Sequence, residues 1–191
     1  MTVGHAGRDQ KGGKMALPIG VGIYPIDTAH SQFGFSLMHL GISTIRGTFD
    51  EYSGELRVGD DLDDTSVTID AEVASINSGN ALRDANVHAA EYLDVANHPR
   101  MSFRSTSIAE SESGYALTGD LTIRNVTVPM TLDVTFNGEA IFPIDGSTHF
   151  GFTGRATISR SAFGVSYALA VISDEVDLIL DVRFVRPPAD G

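Results

Sequence analysis

From Tyr115 to Phe136 the chain reads YALTGDLTIRNVTVPMTLDVTF, and apolar and polar side chains alternate almost without a break. Tyr115, Leu117, Gly119, Leu121 and Ile123 share one parity, with Ala116, Thr118, Asp120, Thr122 and Arg124 on the other. Val128, Met130, Leu132, Val134 and Phe136 repeat the pattern against Pro129, Thr131, Asp133 and Thr135. A period of two belongs to a pleated strand with one dry and one wet face, and a helix cannot satisfy it. The stretch therefore reads as two long antiparallel strands joined by a tight turn at Arg124-Asn125-Val126-Thr127, where Asn125 tolerates unusual backbone angles. Pro129 has no N–H for a ladder, so its nitrogen faces a gap, an edge or a bulge.

The same grammar recurs along the chain. Phe33, Phe35 and Leu37 alternate within a strand from Ile23 to His39. Thr44 to Val58 follows, with Phe49 inward and Gly47 and Gly54 marking bends or bulges. Ser66 to Asn77 sets Val67, Ile69, Ala71 and Val73 against Thr68, Asp70 and Glu72, and Arg100 to Ala109 turns Met101 and Phe103 inward. Phe150, Phe152, Gly154, Ala156 and Ile158 share a face within His149 to Arg160. Val176, Leu178, Leu180, Val182 and Phe184 do so within Asp174 to Arg186. A single helical patch, Ala81 to Leu93, has Asn80 as its N-cap and Leu82, Val87 and Ala90 as its apolar face. The total is about eight strands in sequential order, the count at which an antiparallel sheet closes on itself. Runs this long favour a coiled barrel over a sandwich. The expectation is all-β: one antiparallel, roughly eight-stranded barrel with one short helix near 81–93.

Composition narrows the function classes. A net charge of −12 and a pI near 4.7 argue against nucleic acid and against anionic membrane surfaces, both of which need clustered Lys and Arg. With no cysteine, disulfides, thiolate catalysis and zinc-thiolate sites are excluded. No apolar run reaches the length of a membrane-spanning helix. Residues 1–20 carry Gly4, Gly7, Gly12, Gly13 and Gly20 and read as a mobile tail ahead of a folded unit over 21–191, with Met15 an alternative start. MALPIGVGI, from Met15, is too short and glycine-rich for a secretory leader, which places the protein in the cytoplasm. Asp60 to Asp64 reads as a solvated turn, since it lacks the central Gly and closing Glu of a calcium loop.

With strands running up and down in turn, connections 40–45, 78–99, 124–127 and 161–173 gather at one end, and 59–65, 110–114 and 137–147 at the other. Both long insertions share an end, the usual place for ligand access on a rigid barrel. Small residues at Gly119, Gly154, Ala71 and Ala156 interrupt the large inward ones. Periodicity fits both a barrel filled by its own side chains and an elongated greasy cavity. The histidines, His5, His30, His39, His88, His98 and His149, show no metal-site spacing, and there is no G-x-S-x-G. No catalytic residue, metal or cofactor is nominated.

Several segments together resemble the YceI-like family. They are IDTAHSQFGFSLMHLG with IRGTFDEYSGEL, LRDANVHAAEYLDVANHPRMSF, TGDLTIRNVTVPMTL, FGFTGRATISRSAFG and ISDEVDLILDV, in order over residues 23–186. The resemblance implies a lipocalin-like barrel for binding, storage or transport of a polyisoprenoid or isoprenoid-quinone lipid, without catalysis. It implies that the cavity is lined by Phe33, Phe35, Leu37, Phe49, Ile69, Met101, Phe103, Leu117, Leu121 and Ile123. Phe150, Phe152, Ile158, Phe163, Leu178 and Leu180 complete the lining. His39, Arg83 and Arg160, at the loop-rich end, are candidates for the lipid head group. Their competing roles are a rim histidine bonded to backbone and salt bridges with Asp84, Asp174 or Glu175. The partners expected are the lipid and, at most, a second copy in a homodimer. Two other classes stay open: a small-molecule enzyme, which needs a titratable group inside, and a structural module, which needs a filled barrel.

Overall fold

The alternating stretch folds as a hairpin in the computed structural model, which describes residues 15–187. In chain order the strands are β1 (Gly22–Pro25), β2 (Gln32–His39), β3 (Ser43–Phe49), β4 (Tyr52–Val58), β5 (Ser66–Glu72) and β6 (Ile76–Asn77). They continue with β7 (Arg100–Ser111), β8 (Gly114–Ile123), β9 (Val126–Ile141), β10 (Thr148–Ser159) and β11 (Ile172–Arg186). One α-helix, α1 (Ala81–Val87), occurs among the described residues. The strands form one antiparallel sheet ordered β1-β4-β5-β7-β8-β9-β10-β11-β2-β3-β6.

The eleven segments correspond to the expected eight runs because three runs are kinked. β1 and β2 are one run bent at the 3-10 turn Thr28–His30, and β5 and β6 are one run bent at Val73–Ser75. β3 and β4 join through Asp50 and Glu51. Pairing crosses each kink. Tyr52 opposite Ala71 and Phe49 opposite Ile76 belong to one long bent hairpin, and Ile26 bridges Phe184 while β2 pairs with β11. Each run thus pairs with the next and the last with the first, which closes the barrel. Strands long enough to wrap a coiled eight-stranded barrel bend sharply, and each kink is such a bend.

Gly47 and Gly54 flank the Asp50-Glu51 kink instead of making it. A Cβ on Gly47 would lie 2.5 Å from the Phe35 ring, so glycine there admits the ring. The β8–β9 turn is shorter than expected, with Val126 and Thr127 already in β9. Arg124, at φ 57°, takes the left-handed conformation in place of Asn125. That costs about 1–2 kcal/mol for a residue with a Cβ. Its guanidinium donates to the Gly164 carbonyl at 3.1 Å and approaches Asp94 at 3.9 Å, which offsets the strain. Pro129 lies on a part of β9 that pairs with β8 alone, as its missing donor requires. The helix ends at Val87, short of Leu93; Leu82 is 73% exposed and Ala90 lies beyond the helix, so neither forms an inward face.

The barrel is closed at the end that carries the 59–65 turn. Tyr24, Leu56, Val58, Leu62 and Phe150 are buried there together with Leu17 and Ile19. Residues 15–20 are therefore not part of a mobile tail, and residues 1–14 of that expected tail lie outside the described residues. Within the short apolar block after Met15, Leu17 and Ile19 alternate into the core, and the Met15 carbonyl accepts from Leu62 N at 2.8 Å. The Asp60–Asp64 turn is also less solvated than expected, since Asp61 is buried and its carboxylate accepts from the Asp63 and Asp64 amides. Truncation to Met15 leaves these contacts in place and should leave the melting temperature unchanged. Truncation through Ile19 removes two buried side chains worth roughly 1.5–3 kcal/mol each. It should lower the melting temperature by about 10 °C. Equal melting of the two truncated proteins would show that Leu17 and Ile19 contribute nothing.

The first kink is pinned by Asp27. Its backbone N–H donates to Arg183 O at 2.7 Å, and its Oδ2 accepts from Arg183 Nε at 2.9 Å, Arg183 Nη2 at 2.7 Å and His30 Nδ1 at 3.0 Å. Burial pushes its pKa up, but the hydrogen bonds and charges of Arg183 and His30 outweigh burial and hold it below 3.8. A carboxylate with a depressed folded pKa stabilises the fold fully above its unfolded value and loses that contribution as pH falls through the folded one. Unfolding in urea should therefore become easier below 3.8, and Asp27→Asn should flatten that acid limb. An unchanged limb in Asp27→Asn would remove Asp27 as its source.

Candidate ligand cavity

Inside the barrel lies a cavity of about 580 Å³. From Ile172 to Phe184 its lining follows β11 for roughly 30 Å along the barrel. All eight runs contribute, because alternation turns every second side chain of each toward the axis.

Of the residues that the sequence put inward, Phe33, Phe35 and Leu37 line the cavity from β2, Phe49 from β3, Ile69 from β5, and Met101 and Phe103 from β7. Leu117, Leu121 and Ile123 do so from β8, and Phe152 and Ile158 from β10. Phe163, in the 3-10 turn Arg160–Phe163, and Leu178 and Leu180 on β11 complete this group. Phe150 does not line it. Its ring is wholly buried in the floor against Tyr24, centroids 5.1 Å apart, with the Arg186 guanidinium 5.6 Å above it. Phe150 has the same parity as Phe152, so alternation could not separate them; height along the barrel does.

Space comes from some of the small residues and not others. A Cβ on Gly154 would meet only the Leu180 and Leu132 side chains, at 3.5 Å and beyond, so this glycine opens onto the cavity. At Gly119 the Phe103 ring occupies the place, 2.4 Å from where a Cβ would be. Among the described lining residues, Tyr115 is the one titratable group below the rim. Burial, with Glu110 adding to it, raises its pKa, so the phenol stays neutral.

The polar groups stand at the loop-rich mouth. His39, Arg83 and Arg160 all border the cavity there, but their hydrogen bonds differ. Arg83 Nε donates to Ser78 Oγ and its Nη2 to Ser78 O, both at 2.7 Å. Asp84 accepts from the Ser78 amide and hydroxyl, so Arg83 and Asp84 meet on Ser78 instead of forming a salt bridge with each other. Arg160 is 8% exposed and donates to four carbonyls: Ser173 (2.8 Å), Val165 (2.8 Å), Tyr167 (2.9 Å) and Ile172 (2.9 Å). Its guanidinium is a staple for the 160–172 connection, with four of its five N–H groups committed to carbonyls there. Asp174, expected as its salt-bridge partner, instead accepts from Ser159 and Ser161.

Some lining was missed. Met130, Leu132 and Val134 on β9 were legible from alternation, whereas Leu17, Tyr92 and Leu93 reach the cavity from irregular segments with no period to read. The structure also brings Ser147, His149 and Asp27 together. His149 Nε2 lies 2.8 Å from Ser147 Oγ, and its Nδ1 lies 3.6 Å from Asp27 Oδ2. This is not a nucleophilic triad. The Ser147 hydroxyl donates to Asp145 at 2.6 Å, so Nε2 must be the donor to Ser147 rather than its base. Ser147 is 3% exposed and lies outside the cavity.

Comparison with known proteins follows the same span. The family model described as YceI-like domain matches residues 24–184. A UPF0312 protein of Serratia proteamaculans is 33% identical over 166 residues, covering 85% of this chain and 86% of the relative. The crystal structure of BcnA from Burkholderia cenocepacia superposes with a TM-score of 0.74 at 24% identity, over 83% of this chain and 98% of that one. A polyisoprenoid binding domain from Saccharophagus degradans, implicated in plant cell wall breakdown, superposes with a TM-score of 0.66 at 11% identity, over 86% and 98%.

Proposed function

This chain belongs to the YceI-like family, and from that premise we propose that its barrel binds one long, branched apolar lipid of the polyisoprenoid or isoprenoid-quinone kind. The lipid's chain runs down the cavity and its head lies at the mouth. The observation that carries the reading is the cavity itself: deep, apolar to its floor, and free of charged side chains below the rim. Burying hydrocarbon there gains about 25 cal/mol per Å² without any directional contact, which accounts for a site with no sharp motif. His39 and Arg83 stand where the head group lies, and Arg160 holds the loop over it. The role is carriage or storage without catalysis. The named partner of the Saccharophagus domain agrees with this reading.

The test is organic extraction and native mass spectrometry of the folded protein after expression in lipid-replete cells. An isoprenoid lipid at about one per barrel is expected. If no lipid co-purifies and none can be loaded into the purified barrel, the proposal fails.

A further inference from the structure

The loop-rich end carries apolar side chains that the fold leaves in solvent. Leu40 and Ile42, between β2 and β3, are 55% and 84% exposed, and Tyr167, Leu169 and Val171, between β10 and β11, are exposed as well. Leu40 N donates to Val171 O at 2.7 Å, so the two loops are adjacent and form one surface. The cavity opens beside it, bordered by His39, Ser43, Val165 and Ile172 from these same segments.

Backbone geometry holds these side chains outward. Leu40 and Gly41 adopt φ 54° and 69° in succession, the conformation for which hairpin turns favour Asn-Gly. A leucine there is strained and wet, and the fold recovers nothing from it. Ala168, at φ 57°, plays the same part between Tyr167 and Leu169. Charge is distributed to match. Residues 31–45 and 161–173 contain no Asp, Glu, Lys or Arg. Asp60, Asp61, Asp63, Asp64, Glu110, Glu112, Glu139 and Asp145 gather at the opposite end. The acids nearest the mouth are Asp174, which accepts from Ser159 and Ser161, Glu175 beside it on β11, and, on the 78–99 side, Asp84, held by Ser78, Asp94, near His98 and Arg124, and Glu91.

We propose that this collar docks on the surface of an uncharged, zwitterionic lipid bilayer, seating the cavity mouth against the membrane so that the ligand passes between bilayer and barrel. The proposal rests on the lipid-carrier reading for what is exchanged. Two apolar loops without charged residues suit a neutral surface, and a net charge of −12 repels an anionic one. Docking supplies apolar surroundings for Leu40, Ile42 and Leu169 that the fold does not.

The experiment is flotation of the full-length protein with phosphatidylcholine vesicles and, in parallel, with vesicles containing phosphatidylglycerol. Flotation with the first and less with the second is expected. Ile42→Asp and Leu169→Asp should each reduce the bound fraction on the order of tenfold. Both should keep the wild-type melting temperature and the wild-type capacity for lipid added directly in detergent, because neither side chain lines the cavity. Should one variant unfold, the other carries the reading from the second loop. A lipid-loaded protein that stays with the soluble fraction, or variants that float like the wild type, overturns the docking and leaves the carrier reading intact. Concentration-dependent dimers lost in Ile42→Asp, without vesicle binding, overturn it in favour of a second copy. Flotation that depends on Ile42, in a protein that neither holds nor takes up lipid, sustains the dock and removes the carrier reading instead.

Discussion

Replacing Phe152 with Asp should abolish lipid retention. Phe152 is buried in the cavity wall, its ring 5.1 Å from Phe136 and 6.0 Å from Phe184. No cation among the described residues shares the wall below the rim, so the new carboxylate has no partner there. An unpaired buried charge costs several kcal/mol, which the site escapes only by protonating the group or admitting water. Either outcome makes the tunnel a poor solvent for hydrocarbon. The ring's own packing is lost too, at about 3–5 kcal/mol, so retention has to be compared at matched folded fraction. Two gentler variants separate binding from folding. Phe152→Ala widens the cavity and should shift the extracted lipids toward bulkier or longer chains. Gly154→Leu fills it, since a Cβ there meets only side chains at ordinary contact distance, and should exclude lipid while the barrel melts normally. Full lipid occupancy in both Phe152→Asp and Gly154→Leu would show that the ligand lies elsewhere.

Arg160→Ala should be the most damaging change at the mouth. Four carbonyls of the 160–173 connection converge on this one guanidinium, more than any other side chain there receives, beside the local turn bonds at Ser161, Ala168 and Val171. Burial lowers its pKa, with Asp174 and Tyr92 opposing, and the carbonyl dipoles serve as its counter-charge. Hydrogen bonds to a charged group contribute about 1.5–3 kcal/mol each, and orphaned buried carbonyls add a penalty. A loss of roughly 4 kcal/mol is expected, or about 10 °C in melting temperature for a chain of this size. Hydrogen exchange should show residues 164–172 losing protection first, together with faster release of bound lipid. Arg160→Lys should recover little, because one ammonium cannot span carbonyls on both sides of the loop. Full recovery by lysine would mean that charge, and not the fork, holds the loop.

The barrel was legible because alternation is a local property. Each strand's wet and dry faces are written into its own residues, and their number and order leave an antiparallel sheet little choice but closure. Hence alternation alone turns Phe33, Phe103, Leu121 and Leu178 toward the axis, and strand order alone sets both long insertions at one end. The kinks at Thr28–His30, Asp50-Glu51 and Val73–Ser75 have no such signature, since they answer to the curvature of the closed sheet.

Height along the axis is equally nonlocal, and it decides what an inward side chain does. Phe150 and Phe152 are indistinguishable by parity, yet one seals the floor and the other lines the cavity. Leu17 and Ile19 looked like part of a glycine-rich tail because nothing near them in sequence reveals the floor that they complete. Arg160 looked like a ligand contact because a charge beside a cavity usually is one, and only the folded loop supplies the four carbonyls that claim it. The sequence by itself determined the strands, their faces and the open end. Tertiary structure alone decided which inward residues meet empty space, which polar groups at the rim are already bonded, and whether the barrel is filled. Those depend on distances between residues far apart in the chain, which local periodicity does not encode.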